Sequence, residues 1–166
     1  PQDENDEPAS VLLEKIKAEK EQLIKNKIIK KEKPLPEISE EEKSFDLPKG
    51  WEWCRLGSLV SKLGSGSTPS GGSKVYRESG IKFIRSQNVY NDGLKLDNIV
   101  YIPLEINETK KGSIVKSKDI LLNITGASIG RCCVVNDDFD IGNVNQHVSI
   151  IRLIDLEMRK YIHTIL

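Results

Sequence analysis

The chain has 166 residues, with 25 Lys+Arg, 25 Asp+Glu and a formal net charge of zero, which fits one domain with an appendage. No apolar run approaches the ~20 residues that span a bilayer, so the sequence predicts no membrane span. The three cysteines are odd in number and lack C-x-x-C spacing, which argues against a thiolate zinc site and predicts buried, reduced thiols in a cytoplasmic protein.

The first fifty residues form a charged leader that differs from the rest of the chain. They hold 10 Lys+Arg and 13 Asp+Glu, whereas the remaining 116 residues hold 15 and 12. Residues 1–9 are acidic and are predicted to be disordered. Residues 10–33 favour a helix, because they are rich in Leu, Glu, Lys and Ile and contain neither Gly nor Pro. Apolar residues form one stripe along this helix, which includes Leu13, Ile16, Leu23 and Ile24.

A linker and a β-rich domain follow. Residues 34–50 contain two prolines and an acidic run, and they are predicted to form a semi-extended linker. A closing helix is expected from Asp155 onward. The predicted fold class is α+β, with a curved, irregular, β-rich domain over residues 51–166, a leading amphipathic helix and a short closing helix. Runs rich in Val and Ile predict strands at 82–85, 99–102, 120–124, 131–135 and 148–153.

The sequence offers few groups for catalysis or for a metal ion. It has two histidines and no serine in a G-x-S-x-G elbow. The glycine- and serine-rich loop at 64–73 lacks the Lys-Ser/Thr pair of a phosphate-binding P-loop. Asp137, Asp138 and Asp140 lack the spacing of a calcium loop and predict a solvated acidic turn. We therefore expect no catalytic residue, no metal ligand and no cofactor in this chain.

Four blocks of sequence stand out in chain order. The first joins the leading helix to WEWCRLG at 51–57, and the second is KLGSGSTPSGGSKVY at 62–76. The third is GIKFIRSQNV at 80–89, and the fourth is KSKDILLNITGASIGRCCVV at 116–135, closed by GNVNQHVSIIRL at 142–153. Together they resemble one target recognition domain of the DNA specificity subunit of type I restriction-modification systems, with its preceding spacer helix.

The resemblance implies a non-catalytic protein that binds double-stranded DNA at a specific sequence. Such a subunit directs modification (methyltransferase) subunits and, in the full complex, a restriction subunit to the target. The spacer helix would contact the modification subunits through Leu13, Ile16, Leu23 and Ile24. S-adenosylmethionine is expected on the modification subunit. In that family the TGASIGR block, residues 125–131, is a recurring scaffold signature.

The resemblance makes the polar loops candidate DNA contacts. Arg85, Gln87 and Asn88 have the side-chain geometry that pairs with base edges, and we expect their loop to read bases as far as Lys95. Ordinary turn chemistry around residues 91–93 is the alternative. Hydroxyls and backbone N–H groups of the glycine- and serine-rich loop suit phosphates. The expected DNA contacts are Lys62, Ser65, Ser67, Thr68, Arg85, Ser86, Gln87, Asn88, Lys95, Thr125, Ser128, Arg131 and His147.

Three polar residues near the end of the chain complete the candidate set. Arg131 is expected either to contact a phosphate or to form a buried structural ion pair. His147 is expected either to contact DNA or to serve as a satisfied structural histidine. Gln146 is expected to tie down backbone inside the fold.

The family pattern and this chain differ in extent. A full specificity subunit carries two recognition domains and two long helices, whereas this chain has one of each. We expect either a fragment whose recognition domain is truncated at its C-terminus, or a half-length subunit that forms a homodimer. The alternative function is a protein-interaction or assembly module without DNA specificity of its own. A nuclease or methylase half is a further alternative, although the Glu-Thr-Lys triplet at 108–110 has no convincing acidic partner upstream.

Overall fold

The computed structural model describes residues 6–166, so the first five residues of the predicted disordered leader lie outside the described residues. The chain divides into two compact units, the first ending at Ser61 and the second comprising Lys62–Leu166. Within the described residues, no helix is long and apolar enough to cross a membrane.

The first unit is built on helix α1 (Ala9–Lys25) and the short helix α2 (Leu56–Leu59). Composition predicts a helix as far as residue 33, but the helix ends at Lys25. Lys27 adopts a left-handed backbone conformation with φ of 58°, and the N–H of Ile28 turns back to the carbonyl of Leu23 at 2.9 Å. This hydrogen bond satisfies a carbonyl that the helix end would leave open, so the lysine-rich sequence beyond it is not helical.

Residues 51–61 belong to the first unit, where Arg55 contacts the leader. The guanidinium of Arg55 binds both carboxylate oxygens of Glu42 and the backbone carbonyls of Pro36 and Glu37, at distances from 2.5 to 3.1 Å. The Arg55 hydrogen bonds lower the pKa of Glu42 to about 2. The first compact unit ends at Ser61, while the predicted boundary between the linker and the β-rich domain at residue 50 stays a prediction.

The second unit contains two four-stranded sheets and a hairpin, and the strand β1 begins two residues before the unit boundary. The first sheet has the order β1-β10-β7-β8, the second has the order β5-β2-β9-β6, and β3 pairs with β4. Strand β2 runs parallel to β9, while β7 pairs antiparallel with β8 and β10. The strands are β1 (Val60–Ser65), β2 (Ile81–Ile84), β3 (Val89–Tyr90), β4 (Gly93–Leu94), β5 (Val100–Ile102), β6 (Ile114–Val115), β7 (Ile120–Asn123), β8 (Cys132–Val134), β9 (Gly142–Val144) and β10 (Val148–Leu153).

The hydrophobic core of the second unit lies where the two sheets and the hairpin meet. Val and Ile side chains dominate it, as expected for a β framework. Cys132 and Cys133 are buried while Cys54 is exposed, so the prediction of buried thiols is correct for two and wrong for the third. The core members are Ile84, Val89, Val115, Leu121, Cys133, Val135, Val144, Val148 and Ile150.

The α+β fold class is confirmed, with the leading helix α1, irregular sheets, and the closing helix α4 (Arg159–Ile165) that follows helix α3 (Leu104–Thr109) in the chain. Each of the five predicted strands corresponds to an observed strand within two residues at each end. Strands β1, β3, β4, β6 and β9 were not predicted. The sequence of β9, Gly-Asn-Val, has little strand propensity, and the strand forms through pairing with β2 and β6.

Candidate nucleic-acid interface

A surface cleft of about 400 Å³ lies on the second unit, where the ends of several strands meet. We call it the recognition cleft. Six of the thirteen predicted DNA contacts line it, although they are up to 61 positions apart in the sequence (86 to 147). The lining residues are Ser86, Gln87, Tyr90, Thr125, Gly126, Ala127, Ser128, Arg131 and His147.

The first wall of the cleft is the turn that joins β2 to β3. Residues Ser86–Asn88 form one turn of 3-10 helix. The side chain of Asn88 holds this turn in shape, because its oxygen accepts the N–H of Arg85 at 3.0 Å and its amide donates to the carbonyl of Lys95 at 2.9 Å. Asn88 is buried as a result, and the neighbouring Gln87 is the residue of this turn that faces solvent.

The second wall is the loop that joins β7 to β8. Gly126 and Gly130 adopt left-handed conformations, with φ of 82° and 87°, which suit glycine. The N–H of Gly130 donates to the carbonyl of Asn123 at 2.9 Å, and the N–H of Arg131 donates to the carbonyl of Ser128 at 3.1 Å. The reversal is therefore tight, and it brings Arg131 back beside the end of the strand that the chain has just left.

The two walls are joined by the buried side chain of Asn123. Its amide donates to the carbonyl of Ser86 at 2.8 Å and to the hydroxyl of Ser128 at 3.0 Å. Its side-chain oxygen is buried and has no hydrogen-bond partner within residues 6–166. Asn123 thus fixes the distance between the two walls without lining the cleft itself.

Arg131 supplies the positive charge of the cleft. Its guanidinium lies over the ring of Tyr90, 4.5 Å from the ring centroid. Such a cation–π contact holds a guanidinium in place and leaves its N–H groups available. Among the described residues, no carboxylate forms an ion pair with Arg131. The interpretation of Arg131 as a member of a buried ion pair is therefore wrong. An anionic ligand in the cleft could accept hydrogen bonds from the N–H groups of the Arg131 guanidinium.

His147 lies in the cleft and takes part in a chain of side-chain hydrogen bonds. Its Nδ1 is 2.5 Å from the hydroxyl of Thr125, and its Nε2 is 3.1 Å from the amide nitrogen of Gln146. The side-chain oxygen of Gln146 accepts the N–H of Thr68 at 3.1 Å and its hydroxyl at 2.5 Å. Gln146 does tie down backbone, as predicted, but it does so at the surface, where its side chain is exposed.

The glycine- and serine-rich loop is pinned against the fold beside this chain of hydrogen bonds. The N–H of Gly66 donates to the carbonyl of Asn145 at 3.1 Å, and a Cβ at position 66 would lie 1.8 Å from the carbonyl oxygen of Val144. Of the predicted contacts in this region, Ser65, Ser67 and Thr68 are exposed, and Ser67 accepts a hydrogen bond from the ammonium of Lys110 at 2.6 Å.

Four further predicted contacts lie outside the lining of the cleft and also have partners within the fold. Arg85 is half-buried and donates to the carbonyl of Asn98 at 2.9 Å. Lys95 forms an ion pair with Asp92 at 2.7 Å, and this pair raises its pKa. Lys62 donates to the carbonyl of Gly112, and its partial burial lowers its pKa. Asn88, the fourth, is buried and cannot reach a base edge in this conformation.

The predicted partner-binding stripe of helix α1 is only partly open. Ile16 is buried within the chain, at 3% exposure, while Leu13, Leu23 and Ile24 are half-buried. Val11, at 38% exposure, is the more accessible apolar side chain of this helix, and it was not predicted.

Three lining residues, Tyr90, Gly126 and Ala127, were not among the predicted contacts, and neither was Asn123 beneath the cleft. Nothing in the local sequence of Tyr90 marks it as the ring over which Arg131 lies, because that contact joins residues that are distant in the chain. Within the described residues, no group of three or more His, Cys, Asp or Glu side chains is arranged to hold a metal ion.

Comparison with known proteins relates the chain to one class, the specificity subunits of type I restriction enzymes. No family model matches the chain. It is 42% identical over 124 residues to the EcoAI specificity subunit of Escherichia coli, a match that covers 75% of this chain and 20% of that protein. It is 54% identical over 69 residues to the EcoEI specificity subunit of Escherichia coli, covering 42% of this chain and 12% of that protein.

Solved structures agree with this relation at the level of the fold. The HsdS subunit from Thermoanaerobacter tengcongensis matches 93% of this chain with a TM-score of 0.51 and 16% identity, over 35% of that subunit. A chain from a structure of the type I R-M system, described in terms of complex assembly and conformational transition, matches 94% of this chain with a TM-score of 0.53 and 19% identity, over 36% of its own length.

The chain is therefore homologous to part of the specificity subunits of type I restriction enzymes, and the resemblance seen in the sequence is confirmed. It spans about a fifth of the length of the EcoAI subunit, the first of these relatives.

Proposed function

We propose that the chain binds double-stranded DNA at a specific sequence through the recognition cleft, as the non-catalytic specificity component of a type I restriction-modification complex in the cytoplasm. The observation that carries this proposal is the convergence of Gln87 and Arg131, two free donors of different character, on one cleft. The relation to specificity subunits supports the same function.

The two walls of the cleft have different roles in this proposal. Gln87 stands on a turn outside the recurring family signature, is exposed, and has a side chain that pairs with adenine in the major groove. Arg131 belongs to the TGASIGR signature, which a family of many targets would keep for contacts that carry no sequence information. We assign base reading to Gln87, and phosphate binding to Arg131 with the hydroxyls of Thr125 and Ser128.

The remaining predicted contacts are assigned by their accessibility. Ser65, Ser67 and Thr68 are exposed and remain proposed phosphate contacts on the pinned loop. Ser86 and His147 line the cleft and remain proposed contacts to DNA. Lys62, Arg85 and Lys95 would have to exchange partners within the fold before they could reach DNA. Asn88 is assigned a structural role.

Partners and cofactor follow from the same proposal. The modification subunits would bind helix α1 through its accessible apolar residues, and they would hold S-adenosylmethionine. The restriction subunit would join in the full complex. If two copies of the chain pair, each would supply one recognition cleft for one half of a split target.

The proposal is tested by measuring duplex affinity as a function of salt for three variants of the chain. Arg131→Ala is expected to weaken binding to every sequence and to reduce the slope of log K against log salt by about 0.9, the value for one phosphate contact. Gln87→Ala is expected to leave the slope unchanged and to reduce discrimination at one base pair by ~1–3 kcal/mol.

The matched control is Arg77→Ala, which removes an exposed arginine outside the cleft. It is expected to change neither quantity beyond the error of the measurement. If the cleft variants behave like this control while the chain still binds modification subunits, the alternative of an assembly module without DNA specificity takes the place of the proposal.

A further inference from the structure

A lysine-rich stretch begins at the last residue of helix α1 in the first unit. The stretch KNKIIKKEK at residues 25–33 contains five lysines and one glutamate. We call it the basic segment. Every one of its lysines is exposed, and the single exposed isoleucine among them, Ile28, is 66% accessible. The five lysines are Lys25, Lys27, Lys30, Lys31 and Lys33.

Five glutamates lie between residues 32 and 42, and within the described residues none of them forms an ion pair with a lysine of the basic segment. Glu42 is held by Arg55 at 2.5 Å, and Glu40 by Lys43 at 2.6 Å. The glutamate inside the segment, Glu32, lies 3.9 Å from Lys20, which is outside it. Within residues 6–166, none of the five lysines forms an ion pair. A concentration of like charges therefore remains open to an anionic partner.

The segment begins on an ordered turn. The N–H of Asn26 donates to the carbonyl of Gln22 at 2.9 Å, and that of Lys27 to the carbonyl of Ile24 at 3.0 Å. Lys27 adopts its left-handed conformation here, with φ of 58°, which strains the backbone of a non-glycine residue. Ile29 is half-buried and anchors the chain after the turn. The backbone of the first lysines is thus held in place, which reduces the backbone entropy that binding would cost.

The chemistry of the segment fits phosphate better than a protein surface. Lysine is depleted at the centre of protein–protein interfaces, where aromatic residues and arginine are enriched. Its ammonium is a compact point charge that binds phosphate oxygens without demanding one geometry. The recognition cleft, moreover, has only Arg131 as a cation among its lining residues, so it supplies few of the phosphate contacts that tight DNA binding requires.

We propose that the basic segment binds the phosphate backbone of double-stranded DNA and adds sequence-independent affinity to the specific contacts of the recognition cleft. The identity of the ligand rests on the proposed function. Phosphate binding by the basic segment is separate from recognition of a sequence, because the segment lies in the first unit and contains no residue proposed to read bases.

The test is the salt dependence of duplex binding by the whole chain, with a variant that carries Lys25→Gln, Lys30→Gln, Lys31→Gln and Lys33→Gln. Lys27 is left in place because its backbone is strained. The control replaces four exposed lysines of the second unit outside the cleft, Lys74, Lys111, Lys116 and Lys160, with glutamine. Both variants lose the same charge, and circular dichroism checks that both keep the fold.

The segment variant is expected to reduce the slope of log K against log salt by about 2 to 4, at about 0.9 for each phosphate that it no longer binds, and to keep the base preference of the parent chain. The control is expected to change the slope by less. An unchanged slope in the segment variant overturns the proposal. An unchanged slope with lost affinity for a modification subunit also overturns it, and makes the segment a protein-binding surface.

The two proposals fail in different ways. If the parent chain shows no base preference but its slope still falls in the segment variant, the proposed recognition function fails and the basic segment stands. If base preference depends on Gln87 and the four lysine substitutions leave the slope unchanged, only the proposal for the basic segment is wrong. If the parent chain binds no duplex even at low salt, both proposals are wrong.

Discussion

The side-chain amide of Asn123 donates a hydrogen bond to the backbone carbonyl of Ser86 at 2.8 Å, across 37 positions of sequence. Because Ser86 belongs to one wall of the recognition cleft and the strand of Asn123 leads into the other, this bond sets the width of the cleft. A second bond from the same amide, to Ser128 at 3.0 Å, holds the loop that carries Arg131.

Replacing Asn123 with alanine is expected to loosen the cleft while the fold persists. Loss of the two bonds leaves the carbonyl of Ser86 without this partner, at a cost of about 1–3 kcal/mol in the free energy of unfolding. Duplex affinity should fall roughly tenfold, which corresponds to about 1.4 kcal/mol. Urea unfolding and fluorescence titration measure the two effects. Asn136→Ala, at an exposed position, is the control, and equal behaviour of the two variants would show that Asn123 does not position the cleft.

Gly66 is expected to tolerate no side chain. A Cβ there would lie 1.8 Å from the backbone oxygen of Val144, so Gly66→Ala must displace the glycine- and serine-rich loop, at a cost of about 1–3 kcal/mol. The amide of Thr68 should exchange its hydrogen faster in this variant, because its bond to Gln146 depends on the loop. Gly112→Ala is the matched control, since nothing lies within 4 Å of its Cβ. Normal stability of Gly66→Ala would contradict the packing described here.

The ion pair between Arg152 and Asp119 is expected to matter far more than one at the surface. Asp119 is 1% exposed and accepts two hydrogen bonds from Arg152 at 2.7 Å, together with the N–H of Lys116 at 2.8 Å. Asp119→Ala leaves the guanidinium without this partner and should cost ~3–5 kcal/mol. Asp140→Ala removes the partner of Lys82, and because that carboxylate is 65% exposed the cost should be ~0–1 kcal/mol. Chemical denaturation measures the free energy of unfolding of the two variants, and an equal loss in Asp119→Ala and Asp140→Ala would contradict the greater weight of the buried pair.

The thiols provide a prediction that depends on pH. Burial raises the pKa of Cys132 to about 11 and that of Cys133 to about 12. Both should resist a disulfide reagent at pH 8, while the exposed Cys54 reacts, although more slowly than a free thiol because desolvation raises its pKa. The native chain should therefore show one reactive thiol and the unfolded chain all three. Cys54→Ser should abolish the native reaction.

The same shifts affect stability at high pH. A raised pKa in the folded state means that the unfolded chain releases its thiol protons first. These two thiols therefore contribute stability that is complete below pH 9.0, their ordinary pKa, and is lost as the pH rises towards 11 and 12. Denaturation midpoints measured from pH 8 upward test this, in the parent chain and in a variant that carries Cys132→Ala and Cys133→Ala. A midpoint that falls equally in both proteins would assign the loss to other groups.

The strands were predictable because their signal is local. Val- and Ile-rich runs such as 120–124 and 148–153 need burial wherever they lie, and the structure buries them as β7 and β10. The polar residues that converge on the cleft were found from loop composition and family resemblance, and Ser86, Gln87, Thr125, Ser128, Arg131 and His147 do meet there.

The direction of individual polar side chains was not predictable. Gln87 and Asn88 are adjacent and equally polar, yet one is exposed and the other buried, because successive residues of a 3-10 turn point in directions about 120° apart. The guanidinium of Arg131 is held over the ring of Tyr90, a residue that is 41 positions away in the sequence. Such relations between loops arise from tertiary packing, which no local pattern records.

Selection from a randomised duplex library by the chain together with a modification subunit, read by sequencing, tests the central claim most directly. The parent chain is expected to enrich one short motif. Gln87→Ala is expected to lose preference at one position of that motif, whereas Arg131→Ala keeps the motif and lowers the overall yield. The same motif from parent and Gln87→Ala, or no enriched motif despite a stable protein complex, would contradict recognition through this cleft.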